Sequence, residues 1–98
     1  SYPMAHVLIR QRLARYGDFE EVFKQDAKRR ARLGSKGGTV FRDAGDPQGI
    51  FILLEWDDIE KARAFAGAYE THEAMEWATS GPEERWVWVI ENNLHVEA

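Results

Sequence analysis

Two runs of the chain, Ile50-Phe51-Ile52-Leu53-Leu54 and Trp86-Val87-Trp88-Val89-Ile90, are apolar at every position. Successive side chains of a strand point to opposite faces of its sheet, so these runs need cover on both faces. An antiparallel sheet with one face in water would alternate apolar and polar residues instead. Met4 to Leu13 does alternate, loosely, and reads as a first strand. Val7, Ile9, Gln11 and Leu13 share its core face, and His6, Leu8, Arg10 and Arg12 share the other. Between Gly17-Asp18 and about Leu33, Phe19, Val22, Phe23, Ala27 and Ala31 recur at helical spacing and predict a buried stripe. Asp18 and Glu21 match a capping box, and Gly34 is the expected stop.

Thr39 to Arg42 reads as a short second strand, and Asp43 to Gly49 as a loop rich in turn residues. The third strand, Ile50 to Trp56, follows at once, so the two are expected to form a hairpin. Asp57-Asp58 opens a second helix, with Glu60 at capping-box spacing from Asp57. Ile59, Ala62, Phe65, Ala66 and Tyr69 make its apolar stripe. Gly67 or Thr71 breaks it before a segment carrying Met75 and Trp77. Ser80-Gly81-Pro82 ends that segment, and Arg85 to Asn92 is the fourth strand.

The order strand, helix, strand, strand, helix, strand is the ferredoxin-like βαββαβ signature of an α+β domain. It predicts one domain over residues 1–98, with a core at 4–92 and a tail at 93–98. The helices of this architecture cover one face of a four-stranded antiparallel sheet and leave the other bare. Because the two apolar runs carry large side chains on both faces, the bare face is expected to be covered by a second copy. Two sheets facing each other across a two-fold axis make a homodimer.

Composition narrows the partners. A net charge of −4 and a pI near 5.3 lack the strongly basic footprint of a nucleic-acid binder. Lys28, Arg29, Arg30 and Arg32 cluster where cations complement the end of a helix. The chain has no cysteine, which excludes disulfides and thiolate sites. No run approaches the ~20 apolar residues of a membrane-spanning helix, and no signal-peptide pattern opens the sequence, so a cytoplasmic protein is expected. His6, His72 and His95 lack metal-ligand spacing, and the glycines form no phosphate-binding fingerprint. Neither a metal nor a cofactor is expected.

The residues with usable chemistry are few. His72 lies one helical turn beyond Tyr69 and two beyond Phe65, and suits proton transfer near neutral pH. His6 and Arg10 share a strand face, roughly 13 Å apart by strand rise. Trp86 and Trp88 share the other stretch's single face, where they serve either a ligand or an interface.

Taken with Gly17-Asp18-Phe19 leading to Phe23, the Phe41-Arg42-Asp43…Asp46-Pro47 hairpin, Ile52-Leu53-Leu54-Glu55-Trp56-Asp57-Asp58, and Ala62-Arg63-Ala64-Phe65, the chain resembles the dimeric α+β barrel superfamily. Within it, the resemblance is to the antibiotic-biosynthesis-monooxygenase-like group, over residues 4–92. That group includes cofactor-independent oxygenases of polycyclic aromatics and haem-degrading enzymes. Where the haem branch uses an Asn, a Trp and a His, this chain has Arg10, Phe65 and Met75, which argues against haem degradation.

The resemblance implies a cofactor-independent monooxygenase-like protein that holds a small aromatic molecule between sheet and helices. Arg10, His6 and His72 are the candidate catalytic residues. Tyr69, Trp88, Phe23 and Phe65 are the candidate substrate-binding ones. The alternative is a non-catalytic ligand-binding or structural dimer.

Overall fold

A computed structural model describes residues 4–79, 81 and 84–98. The elements are β1 (Ala5–Arg12), α1 (Tyr16–Gln25), α2 (Ala27–Arg32), β2 (Gly38–Asp43), β3 (Asp46–Trp56), α3 (Ile59–Gly67), α4 (Tyr69–Ala78) and β4 (Arg85–Glu91). The strands form one antiparallel sheet in the order β2-β3-β1-β4. This is the predicted α+β ferredoxin-like arrangement, with each predicted helix divided into two.

The alternation read in the first strand sets the layers. Ala5, Val7, Ile9 and Gln11 are buried under the helices, as are Ile50, Ile52, Leu54 and Trp56 from β3. Val87 and Val89 of β4 pack against the same core. Phe19, Ala62, Phe65, Met75 and Ala78 close it from the helix side.

The first helix departs from expectation at both ends. It begins at Tyr16 rather than at Asp18, whose carboxylate accepts from Arg15 Nε at 2.8 Å and caps nothing. It breaks at Asp26 (φ −84°, ψ 0°), a residue type that favours local hydrogen bonds over a continuing helix. The Asp26 carboxylate accepts from Arg29 Nε and Nη2 at 2.9 and 3.0 Å. This break turns Ala27 and Ala31 outward, contrary to the predicted stripe, and α2 buries none of its residues. Arg29 and Arg30 are the side chains laid inward, over the rings of Phe65 and Phe23. Their alkyl stems cover apolar surface that two alanines would leave exposed.

Gly34 does stop the helical region. It has φ +99°, and a Cβ there would lie 3.2 Å from the Trp56 ring, so conformation and space both call for glycine. The predicted loop between β2 and β3 is shorter than expected. Only Ala44 and Gly45 lie outside the strands, with Asp43 Oδ1 accepting from Gly45 N at 2.8 Å.

Asp58, not Asp57, caps α3, accepting from the backbone N–H of Glu60 at 2.9 Å and Lys61 at 3.4 Å. Asp58→Ala is expected to cost about 1 kcal/mol in urea unfolding, and Asp57→Ala to stay within a few tenths. α3 ends at Gly67, and Ala68 is extended (φ −70°, ψ 139°), so the predicted break is present. The change of direction carries Tyr69 off the apolar stripe into solvent. α4 ends at Ala78. Of the predicted stop, Ser80 and Pro82 lie outside the described residues.

Candidate functional site

The sheet has two chemically different faces, and the predicted site residues divide between them. By register Arg10 stands between Phe51 and Trp86, Leu8 between Leu53 and Trp88, and His6 between Glu55 and Ile90. All lie on the face away from the helices, together with Phe41, the partner of Phe51 on β2. Trp86 and Trp88 therefore share the bare face, and Trp88 does not wall a cavity under the helices as expected. Arg10 does not reach that cavity either. Its guanidinium lies 4.9 Å from the Trp86 ring centroid and 5.6 Å from that of Phe51, and it makes no ion pair among the described residues. His6 Nε2 is 3.9 Å from Glu55 Oε2 on the same face.

The physical reason is the strict two-residue period of β1. With Val7, Ile9 and Gln11 committed to the core, His6 and Arg10 must face the other way. The expectation that they line a pocket between sheet and helices is corrected accordingly.

Tyr69 and His72 lie outside as well. Tyr69 is 75% exposed, and the neighbouring Glu73 carboxylate holds its phenol above the usual range. His72 is exposed, and its Nε2 lies 2.8 Å from Ala66 O, a contact that ties the start of α4 back to α3. Of the seven predicted residues, Phe23 and Phe65 meet in one cavity.

That cavity lies between the sheet and the helices. Its floor is Ile9, Gln11, Ile52 and Leu54, and its roof is Phe19, Phe23, Phe65 and Met75. Phe19 and Phe23 stack at 5.3 Å, one turn apart on α1. The space open to a water centre is about 40 Å³, enough for an ordered water or two and well short of the ~300 Å³ at which small-molecule sites begin.

Polar groups enter at two ends. At one, buried Gln11 donates from Nε2 to Met75 O at 3.1 Å and to Thr79 Oγ1 at 2.9 Å. A carbonyl can only accept, so the amide nitrogen is fixed on that side, and Oε1 accepts no hydrogen bond among the described residues. At the other end stand Asp26, Arg30 and buried Thr71. Arg29 Nη2 donates to Thr71 Oγ1 at 2.8 Å, joining α2 to α4. Arg30 donates from Nη1 to Phe23 O at 2.7 Å, with its guanidinium 3.8 Å from the Phe23 ring. Burial pushes the Arg30 guanidinium below its ordinary value, and Asp26 opposes that shift.

Gln11, Asp26, Arg30 and Thr71 were not among the predicted site residues. The signal for Gln11 was in the sequence, as an amide at a core position of an otherwise apolar face. Arg30 was hidden by its neighbours, because four cations near a helix end read as one solvated group. A larger, open cleft of about 390 Å³ between α1 and α4 is lined by Asp18, Glu21, Glu70 and Glu73 beside exposed Trp77. No group of three or more metal-ligating side chains occurs among the described residues.

No protein-family model matches the sequence, and a search of curated proteins finds no match. Solved structures do match. A candidate antibiotic biosynthesis monooxygenase from Bordetella bronchiseptica superimposes with a TM-score of 0.73 at 17% identity, covering 94% of this chain and 99% of that one. A single-residue variant of SnoaB, a cofactor-independent oxygenase from Streptomyces nogalater, gives 0.72 at 14% identity with 100% of both chains covered. A candidate antibiotic biosynthesis monooxygenase from Caulobacter crescentus CB15 gives 0.70 at 15% identity, covering 95% and 92%. The chain has the α+β fold of these monooxygenase-like proteins, over nearly its whole length.

Proposed function

We propose that the protein takes a small aromatic molecule into the cavity between sheet and helices and oxygenates it without a cofactor. The observation that carries this reading is the cavity itself, an aromatic-walled space with one buried amide and one ion-paired end. The fold shared with SnoaB, a cofactor-independent oxygenase, supports the chemistry. As folded, the space is too small for a ring. Entry requires α1 and α2 to move outward, and α2 is held there by the Arg29 and Arg30 contacts rather than by buried residues of its own.

Oxygenation of an activated CH₂ group runs as follows. A base removes one proton, and the resulting carbanion passes electrons to O₂. Protonation then gives a carbon-bound hydroperoxide, which loses water to leave a ketone. CH₂ and O₂ thus become C=O and H₂O. Asp26 is the carboxylate lining the cavity, and once the outward movement of α2 loosens its two Arg29 contacts it takes the role of base expected of His6 or His72.

The test is oxygen uptake with an anthrone, whose CH₂ group lies between two aryl rings. Asp26→Asn is expected to lower turnover by roughly 10²–10⁴, the usual loss on removing a general base. His72→Ala and His6→Ala are expected to retain it. Loss in Arg10→Ala or His6→Ala with Asp26→Asn active would move the chemistry to the bare sheet face and overturn this reading. A second reading, a non-catalytic ligand-binding dimer, draws support from the absence of any histidine in the cavity lining. It predicts tight binding with no oxygen uptake.

A second copy is the proposed cover for the bare sheet face. Leu8, Phe41, Phe51, Leu53, Trp86, Trp88 and Ile90 lie there side by side. Phe41 is half exposed, and Trp86, Trp88 and Ile90 are 38–44% exposed. An apolar patch on this scale commonly marks a protein interface. Among the described residues, no helix is long and apolar enough to cross a membrane.

A further inference from the structure

We infer that the ligand of the cavity is a short hydroxylated aromatic acid, its hydroxyl donating to Gln11 Oε1 and its carboxylate held at Arg30. The inference rests on the proposed reading of the cavity as the ligand site and adds the chemistry of the two ends. At the inner end, Met75 O and Thr79 Oγ1 take the Gln11 amide hydrogens and thereby fix the side chain's orientation. What Gln11, a buried residue, offers the cavity is an acceptor oxygen, and an acceptor shielded from bulk water selects a donor.

At the outer end the charges are one carboxylate, Asp26, and two guanidiniums, Arg29 and Arg30. Asp26 is engaged by Arg29 through both of its oxygens. Arg30 makes no ion pair among the described residues and lines the cavity with one positive charge in excess. That charge is partly desolvated, which strengthens its attraction for an anion.

The two ends are also spaced for one extended ring system. Gln11 bonds Thr79 just past the end of α4, and Arg29, the neighbour of Arg30, bonds Thr71 at the start of the same helix, eight residues earlier. That is about 12 Å by helical rise, before either side chain reaches inward. Between them the lining is Ile9, Ile52, Phe19 and Phe23, which suits a flat apolar body.

Isothermal titration with 4-hydroxycinnamate, cinnamate and methyl 4-hydroxycinnamate, which carry no CH₂ group and so report binding without turnover, separates the possibilities in the intact chain. The hydroxy acid is expected to bind roughly tenfold tighter than either analogue, the worth of one well-placed hydrogen bond or partly screened ion pair. Gln11→Leu is expected to erase the preference over cinnamate only, and Arg30→Gln the preference over the ester only. Binding of all three with equal affinity would overturn the inference while leaving the cavity a ligand site. If none binds, including the neutral ester, the cavity reading falls with it. The wild-type series decides the matter even if Gln11→Leu fails to fold.

Discussion

Trp56→Ala is expected to lower stability by about 3–5 kcal/mol, the usual range for deleting a large buried aromatic. Trp56 is fully buried. Its ring packs on Phe65 with centroids 4.9 Å apart, and its indole N–H donates to Leu33 O at 2.9 Å. It also lies against Gly34, so three segments meet on one side chain: the end of β3, the end of α2 and the last turn of α3. Alanine would leave a cavity that these elements cannot all close, and would strand the Leu33 carbonyl. Small domains have only about 5–15 kcal/mol in hand, so the melting temperature should fall by well over 10 °C. Trp56→Phe separates the contributions. It keeps most of the packing and loses the hydrogen bond, so about 1 kcal/mol is expected. Equal losses in the two variants, read by urea unfolding, would mean that the hydrogen bond and not the packing dominates.

Trp88→Arg is the second large effect expected, and it acts on the proposed dimer. Trp88 stands on the bare sheet face beside Leu8, its partner on β1. Covering three large side chains per subunit is worth roughly 5–9 kcal/mol of transfer free energy before the costs of association. A buried arginine in place of one of them forfeits its share and adds an unpaired charge to the centre of the interface. The wild-type chain is expected to sediment as a dimer at micromolar concentration, and Trp88→Arg as a monomer of unchanged fold by circular dichroism. Trp77→Arg, on the exposed side of α4, is the control and should change neither. A wild-type monomer, or a Trp88→Arg dimer, would remove the sheet face as the assembly surface.

The layers of this fold were legible because strands report their faces directly. Val7, Ile9 and Gln11 on one side of β1, and Leu8 and Arg10 on the other, follow from a period of two with nothing else needed. The apolar runs in β3 and β4 were equally plain, and the structure divides each of them as alternation requires. Helices were less transparent. Ala27 and Ala31 fit a continuous helical stripe, but a single aspartate, Asp26, breaks the helix and turns both away from the core. The Asp26 carboxylate caps no backbone N–H and pairs instead with Arg29 three residues on, a contact that periodicity does not register.

The candidate site suffered from the same gap. His6, Arg10 and His72 were singled out by residue type, yet the cavity is made by where two broken helices lie over the sheet. Phe23 and Phe65 were found because they are both apolar and periodic. Gln11 sits on the core face by its period, and an amide among isoleucines is a more specific signal than residue type alone.

The strand order has a consequence for how the chain reaches this state. β1 and β3 are the two central strands, and only β2 and β3 are joined by a tight turn. The remaining pairings are remote in sequence, with Ala5 beside Trp56 on one edge and Glu91 on the other. Closing loops of that length costs entropy before any contact rewards it. The β2–β3 hairpin is therefore the natural early element, and β1 the keystone that must arrive before β4 has anything to pair with. Substitutions at the Ala44-Gly45 turn should slow refolding, whereas those in β4 should mainly speed unfolding.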